Sequence, residues 1–192
     1  MTHKKVLLVV LAFALVASWS ILVPVLTAED KDKEEFTLVG AKKCKMCHNK
    51  EATGQQYTVW SEGPHAGAFA TLAGEKALAH AKEAGSGNPQ EDPKCLECHV
   101  TAFPVMGDLE NQKITLEEGV SCESCHGPGS GYDSKKVKTA VLAGDITGES
   151  VGLWTVEEKV CLTCHNEDNP FHTEFKYEER VKKVAHPVPA EK

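Results

Sequence analysis

The chain has 192 residues, is 41% apolar and only 6% aromatic, and carries 21 basic against 28 acidic residues for a formal charge of −7. A negative balance excludes a surface built to neutralise nucleic-acid phosphates and argues against an acidic membrane face. The length suits one domain, but so few aromatic side chains make a thin core for a chain that stands alone.

The N-terminus, Met-Thr-His3-Lys4-Lys5, precedes an uncharged stretch from Val6 to Ala28. A positive n-region followed by an apolar h-region is the layout of a secretory signal, with Pro24 breaking the helix before a cut near Thr27 or Ala28. An uncleaved anchor is the alternative, because the run is long enough to span a bilayer; Ser18, Ser20 and Pro24 weaken it. The expected division is therefore a signal over 1–28 and a single domain over 29–192, with no membrane span once the signal is cleaved. Removing Lys4 and Lys5 with no acid moves the formal charge to −9. Such a surface suits a basic redox partner, a metal oxide or a cationic metal ion, or simply keeps an exported protein soluble.

Residues 29–36 read as a charged, flexible arm, and Ala41 to Trp60 as helical. Pro64-His65 sits at a turn. Ala66 to Ala84, rich in Ala, Leu, Glu and Lys, favours helix. Gly and Pro content marks 85–93 as a loop. Within 103–119, Lys113-Ile-Thr-Leu116 reads as a short strand. Gly127-Pro-Gly-Ser-Gly131 lacks the Gly-Lys-Ser/Thr of a phosphate loop and reads as tight backbone beside a prosthetic group. Thr155-Val-Glu-Glu158 has the form of a capping box, which predicts a helix from there through the segment Cys161–His165. A last helix is expected over Tyr177–Ala185, ended by Pro187 with His186 at its terminus.

Four times along this chain the pattern Cys-x-x-Cys-His appears: Cys44/Cys47/His48, Cys95/Cys98/His99, Cys122/Cys125/His126 and Cys161/Cys164/His165. These motifs hold all eight cysteines, so none is left for a disulfide. Two cysteines three positions apart present both sulfurs to one porphyrin edge, and the next residue offers an imidazole to the iron; this is the attachment pattern of a c-type haem. Zinc knuckles and redox dithiols share the Cys-x-x-Cys spacing. Histidine decides against them: nine of 192 residues are His, so it follows one pair by chance about 5% of the time and all four only about five times in a million. Four c-type haems are expected, forming the core themselves in a mainly α, loop-rich fold with little β. The motifs are unequally spaced, 51, 27 and 39 residues apart, so no longer repeat underlies them.

Each iron takes a second axial ligand unless that face stays open. Outside the motifs the mature chain offers four histidines, His65, His80, His172 and His186, and two methionines, Met46 and Met106. Four spare histidines for four irons suggest bis-histidine ligation, which lowers potentials relative to His/Met and leaves no iron site for a substrate. The expected function is electron transfer without catalysis.

The segments Trp60-Ser-Glu-Gly-Pro-His65-Ala-Gly-Ala, Gly119-Val-Ser-Cys-Glu-Ser-Cys-His-Gly-Pro-Gly129 and Phe175-Lys-Tyr-Glu-Glu-Arg-Val-Lys-Lys-Val-Ala-His186 resemble the tetrahaem cytochromes c that accept electrons from hydroxylamine oxidoreductase. In length and in the ending Val-Ala-His186-Pro-Val-Pro, the chain is still more similar to the outer-surface tetrahaem cytochromes of metal-reducing bacteria, the outer-membrane cytochrome E type. The resemblance implies that His65 is the distal ligand to the third motif's haem and His186 to the fourth. It departs after the third motif, where the relatives place a ligand histidine and residues 130–138 here contain none. His80 and His172 are then the replacements, and in the filament relatives one distal histidine comes from a neighbouring subunit. These relatives imply a homopolymeric conduit to extracellular electron acceptors. The alternatives are a soluble periplasmic shuttle serving redox partner proteins, and an enzyme with one open haem.

Overall fold

A computed structural model describes residues 35–188, and the expected signal segment lies outside them. Nine α-helices occur among these residues, joined by loops and 3-10 turns, with no strand among them. They are α1 (Ala41–His48), α2 (Gln56–Ser61), α3 (Ala68–Thr71), α4 (Glu75–Ala84), α5 (Pro93–His99), α6 (Cys122–His126), α7 (Lys135–Ala143), α8 (Glu158–Cys161) and α9 (Tyr177–Arg180). None of the described helices is long and apolar enough to cross a membrane.

The helices are short because the chain repeatedly stops them. The expected helix over 41–60 is cut into α1, a 3-10 turn over Glu51–Thr53, and α2. Gly54 and Gln55 both take left-handed backbone there, at φ 96° and 52°, which no right-handed helix accommodates. The next expected helix divides at Gly74, which leaves α3 and α4 on either side. α5 starts as its sequence dictates: Pro93 occupies the first turn and the Asp92 carboxylate accepts the Lys94 N–H at 3.0 Å, satisfying an amide that the helix itself leaves free.

Two expectations fail. Lys113–Leu116 forms no strand; Ile114 is buried, but its neighbours lead into a 3-10 turn over Leu116–Glu118. Thr155 caps nothing, because the backbone stays extended through Glu157 and α8 begins only at Glu158. The last helix is shorter than expected: α9 gives way to a 3-10 turn over Val181–Lys183, ahead of His186.

The apolar core is small. Leu72, Leu96 and Val100 form its centre, with Phe69, Phe103, Met106 and Leu116 packed around them. Leu96 is fully buried although it lies inside the second motif, between Cys95 and Cys98. Polar ties do the rest. The Trp60 indole N–H donates to the Val120 carbonyl at 2.9 Å, and the Val120 N–H donates to the His65 carbonyl at 3.0 Å. The Thr101 N–H donates to the Gly119 carbonyl at 2.9 Å, and the Thr101 hydroxyl accepts the Ser121 N–H at 2.6 Å. The three residues leading into the third motif are thus tied to the segments around His65 and just past the second motif.

The glycine run after the third motif is tight, but against the protein's own chain. Gly127 ends α6 at φ 79°, where a Cβ would meet the Gly152 carbonyl and the Trp154 indole. At Gly129 a Cβ would lie 2.6 Å from Val39 Cγ2.

Because Leu96 fills a small core completely, Leu96→Ala is expected to lower unfolding free energy by about 2–5 kcal/mol, measured by denaturant titration of the haem-loaded protein.

Candidate haem centres

The first three motifs lie on α1, α5 and α6. The fourth straddles the end of α8, where the N–H of His165 donates to the Cys161 carbonyl at 3.0 Å and prolongs one helical turn. All eight thiols are free of disulfides. In each motif a helical turn puts the two cysteines and the histidine on one side of the backbone.

The cysteines bring the motifs together in pairs. The helix of the first motif packs against that of the third, with Cys44 and Cys122 near enough to shift each other's thiols. Cys98 lies within the field of Cys164, which places the second motif beside the fourth. Cys125 lies within the field of Cys161 and Cys164, bridging third to fourth. The order in space is first, third, fourth, second. The contact with Cys122 holds the Cys44 thiol below its usual range, while the same contact and burial push Cys122 up. Burial, followed by Cys164, pushes Cys98 up to about 12.

Cys47 differs from the other attachment cysteines. It is exposed, whereas the other seven are partly buried. The reason is where α1 makes its contact. Cys44 is the cysteine of this helix that meets the third motif, and the turn that follows runs out into solvent, with Lys45 and Met46 exposed beside Cys47. The polypeptide alone therefore encloses only one of the first motif's two thiols. Cys47 keeps its place among the candidate attachment residues through the motif, not through burial, and a haem held there would have that edge open to solvent.

The histidines form two facing pairs. His126 and His186 have ring centroids 5.9 Å apart, and His65 and His165 6.1 Å apart. An imidazole nitrogen binds a first-row metal at about 2 Å and lies about 1 Å from its ring centre, so two imidazoles trans across one metal sit about 6 Å apart. Both pairs have that spacing. The partners are exchanged relative to the resemblance: His65 faces the fourth motif and His186 the third. The reason is where the chain carries them. The Val120 tie sets His65 in a turn between the two halves, and the C-terminal segment returns to the first and third motifs, where the Pro187 carbonyl accepts from the Gln56 side chain at 3.2 Å.

His48 and His99 belong to neither pair. His99 is nevertheless set for ligation. Its Nδ1 lies 2.7 Å from the Ala68 carbonyl and 3.4 Å from the Thr71 hydroxyl. A carbonyl only accepts, so Nδ1 carries the proton and Nε2 is left with its lone pair, as in metal-bound histidines held by a carbonyl behind them. His48 lies near the side chain of Gln56, with Lys138 and His186 within its field.

His80 and His172 gather instead near the fourth motif. The His80 ring packs edge-on against Phe171 at 5.1 Å, and exposed His172 lines a surface cavity with His165, Phe171, Phe175 and Arg180. Phe175 stacks on His165 at 4.9 Å and 20°. Met46 is exposed at the first motif, and Met106 packs against the apolar core. Among the described residues no three His, Cys, Asp or Glu side chains converge on a free metal ion, whereas structural zinc takes four ligands. The residues present thus fit haem: paired thiols on single turns, two imidazole pairs at trans-ligand spacing, and a proximal ring with its tautomer fixed. Sequence reading missed Glu123, whose only signal was an acid inside the third motif, and the Ala68 carbonyl, which has no side-chain signature.

Residues 43–127, which span the first three motifs, match the family described as cytochrome c554 and c-prime. The chain is 36% identical over 98 residues to cytochrome c-554 of Nitrosomonas europaea, an alignment covering 48% of this chain and 39% of the relative. The chain thus spans about two fifths of the length of that relative. No solved structure matches. Both similarities support a multihaem c-type cytochrome and haem-based electron transfer.

Burial is the main reason that His48, His65, His126 and His165 all sit below the usual 6.5 of histidine. The unfolded chain then binds more protons in acid than the folded one, so stability is full above pH 6.5 and falls as the pH drops below it. Iron held by these rings would favour the same unprotonated form, so denaturant midpoints of the haem-loaded protein are expected to decrease from pH 7.5 to pH 5; a flat or rising profile would contradict unprotonated histidines.

Proposed function

We propose that the chain is a tetrahaem electron carrier in which four c-type haems follow one another in the order first, third, fourth, second motif, and that it serves as a subunit of a cell-surface or extracellular cytochrome conduit. When bound, haem iron supplies reversible one-electron chemistry. The protein's share is attachment, axial ligation and order. The observation that carries the reading is the pair of facing imidazole couples at 5.9 and 6.1 Å, each uniting a motif histidine with one far away in sequence. His126 and His186 hold the third iron in this reading, and His165 and His65 the fourth. With both axial positions filled by the protein, these irons pass electrons and bind no substrate. The packing of the first motif's helix on the third's and of the third's on the fourth's, with Cys98 of the second motif in the field of Cys164, supports an unbroken path. The exposed Cys47 puts the first haem's edge at the surface, where the path can begin or end. The name of the matched relative, a cytochrome, agrees with a carrier.

Assembly into a homopolymer is supported by His172, exposed beside the fourth motif, and by His80 close to it. In this reading they would serve an iron of a neighbouring copy, since His48 and His99 stand outside the two pairs. A soluble periplasmic shuttle is the second reading; it is favoured by the two couples being complete within one chain. Electron microscopy of protein sheared from its source cells separates them. Filaments with a regular repeat are expected, and particles that stay monomeric at high concentration would sink the conduit.

His65→Ala and His186→Ala are each expected to convert one of four low-spin irons to high-spin, and the double variant two, read by electron paramagnetic resonance. An unchanged low-spin spectrum in either single variant would remove that histidine from the ligand set. Carbon monoxide added to the fully reduced wild type is expected to leave the spectrum unaltered. A carbonyl band would point to an open iron at the first or second motif and to the reductase reading.

A further inference from the structure

Glu123 lies inside the third motif, between Cys122 and Cys125, and its side chain is buried, 3% exposed. Oε1 accepts the N–H groups of Val39 at 2.9 Å and Gly129 at 2.6 Å. Oε2 accepts those of Val39 at 3.2 Å and Gly40 at 2.9 Å. Both oxygens act as acceptors, the arrangement that suits a carboxylate. Its partners are backbone dipoles, so the negative charge is solvated without being cancelled. Gly40 is the residue from which α1 starts, and the next N–H, of Ala41, donates at 2.8 Å to the half-buried Glu118 carboxylate. The helices of the first and third motifs are therefore joined through Glu123, with Glu118 beside it.

This charge reaches the atoms that matter. Glu123 acts on the sulfurs of both Cys44 and Cys122. Of the acids acting on the other pair, Asp92 near Cys95 is half-buried, whereas Glu97 near Cys95 and Cys98, and Glu158 near Cys161, are exposed, and water and salt screen them; none is fully buried as Glu123 is. Lys138 opposes Glu123 at Cys44, but from a half-exposed position and with less effect. A buried negative charge near an iron favours the ferric, more positive state and lowers the potential.

We propose that Glu123, assisted by Glu118, is a positioning and field-setting residue that makes the first and third centres the low-potential pair of the four, so that electrons run from them toward the fourth and second. The inference rests on the tetrahaem reading above.

The test is a spectropotentiometric titration of haem-loaded wild type, Glu123→Gln and Glu123→Asp, with haem counted by pyridine haemochrome. Glu123→Gln is expected to raise the two lowest of four midpoint potentials and leave the upper two in place. Glu123→Asp keeps the charge, so its potentials stay near wild type while its melting temperature falls. Equal loss of stability in both variants with unmoved potentials overturns the field role, as does a rise in the upper pair. If Glu123→Gln does not fold, Glu118→Gln carries the test, with a smaller rise expected in the same lower pair and no rise overturning it. Fewer than four haems in the wild type would overturn the tetrahaem reading and this inference with it. Four haems with unmoved lower potentials would overturn this inference alone.

Discussion

One buried carboxylate, that of Glu123, gathers backbone N–H groups from Val39 and Gly40, more than 80 residues away in sequence, and from Gly129 just beyond its own helix. The described residues contain no sheet ladder that would register distant segments, and the apolar core has three residues at its centre. Long-range order must then come from polar ties that recognise backbone. Charge-assisted hydrogen bonds are about twice as strong as neutral ones, and leaving such donors unpaired in the interior costs about 1–3 kcal/mol each. The Trp60, Thr101 and Glu118 ties follow the same logic, and all four meet the stretch 118–124 that enters the third motif. That stretch is the hub on which the other motifs are hung.

The hub explains why so much apolar surface faces outward. Leu142, Met46, Phe171 and Trp154 are largely exposed, an unfavourable arrangement for a chain stabilised by its own side chains. In a protein organised around porphyrins the apolar partner is the prosthetic group, and side chains need only complete its rim. Met46 beside the open Cys47 thiol is such a rim. The same logic accounts for the motif helices being one or two turns long: each has to present two thiols and one imidazole to a single macrocycle edge, and one turn of helix is enough for that.

The motifs were legible from sequence because haem attachment is local; five adjacent residues contain the whole requirement. How deeply each thiol is enclosed was not, because the difference between Cys44 and Cys47 depends on which end of α1 meets the third motif. The breaks were only half legible. Gly54 and Gly74 are visible punctuation inside helical stretches, yet the left-handed backbone at Gln55 has no such mark. Lys113–Leu116 alternates like a strand, but a strand needs a partner, and Ile114 buries itself without one. Axial pairing was the least legible. His65 and His165 are 100 residues apart, and His126 and His186 are 60; which faces which depends on how the Val120 tie and the returning C-terminus place them, and spacing along the chain carries no record of that.

The exchange of partners bears on how electrons move. His65 sits in the turn anchored to Val120, at the entrance of the third motif, yet its ring faces the fourth. A single backbone hydrogen bond thus links the entrance of one motif to the histidine whose ring pairs with the next in the spatial order. Likewise His186, paired with the third motif, is near enough to act on His48 of the first. If these imidazoles hold iron as proposed, neighbouring centres share supporting elements. Rigid sharing of this kind would keep their potentials in a fixed relation, which separate, independently mobile sites would not.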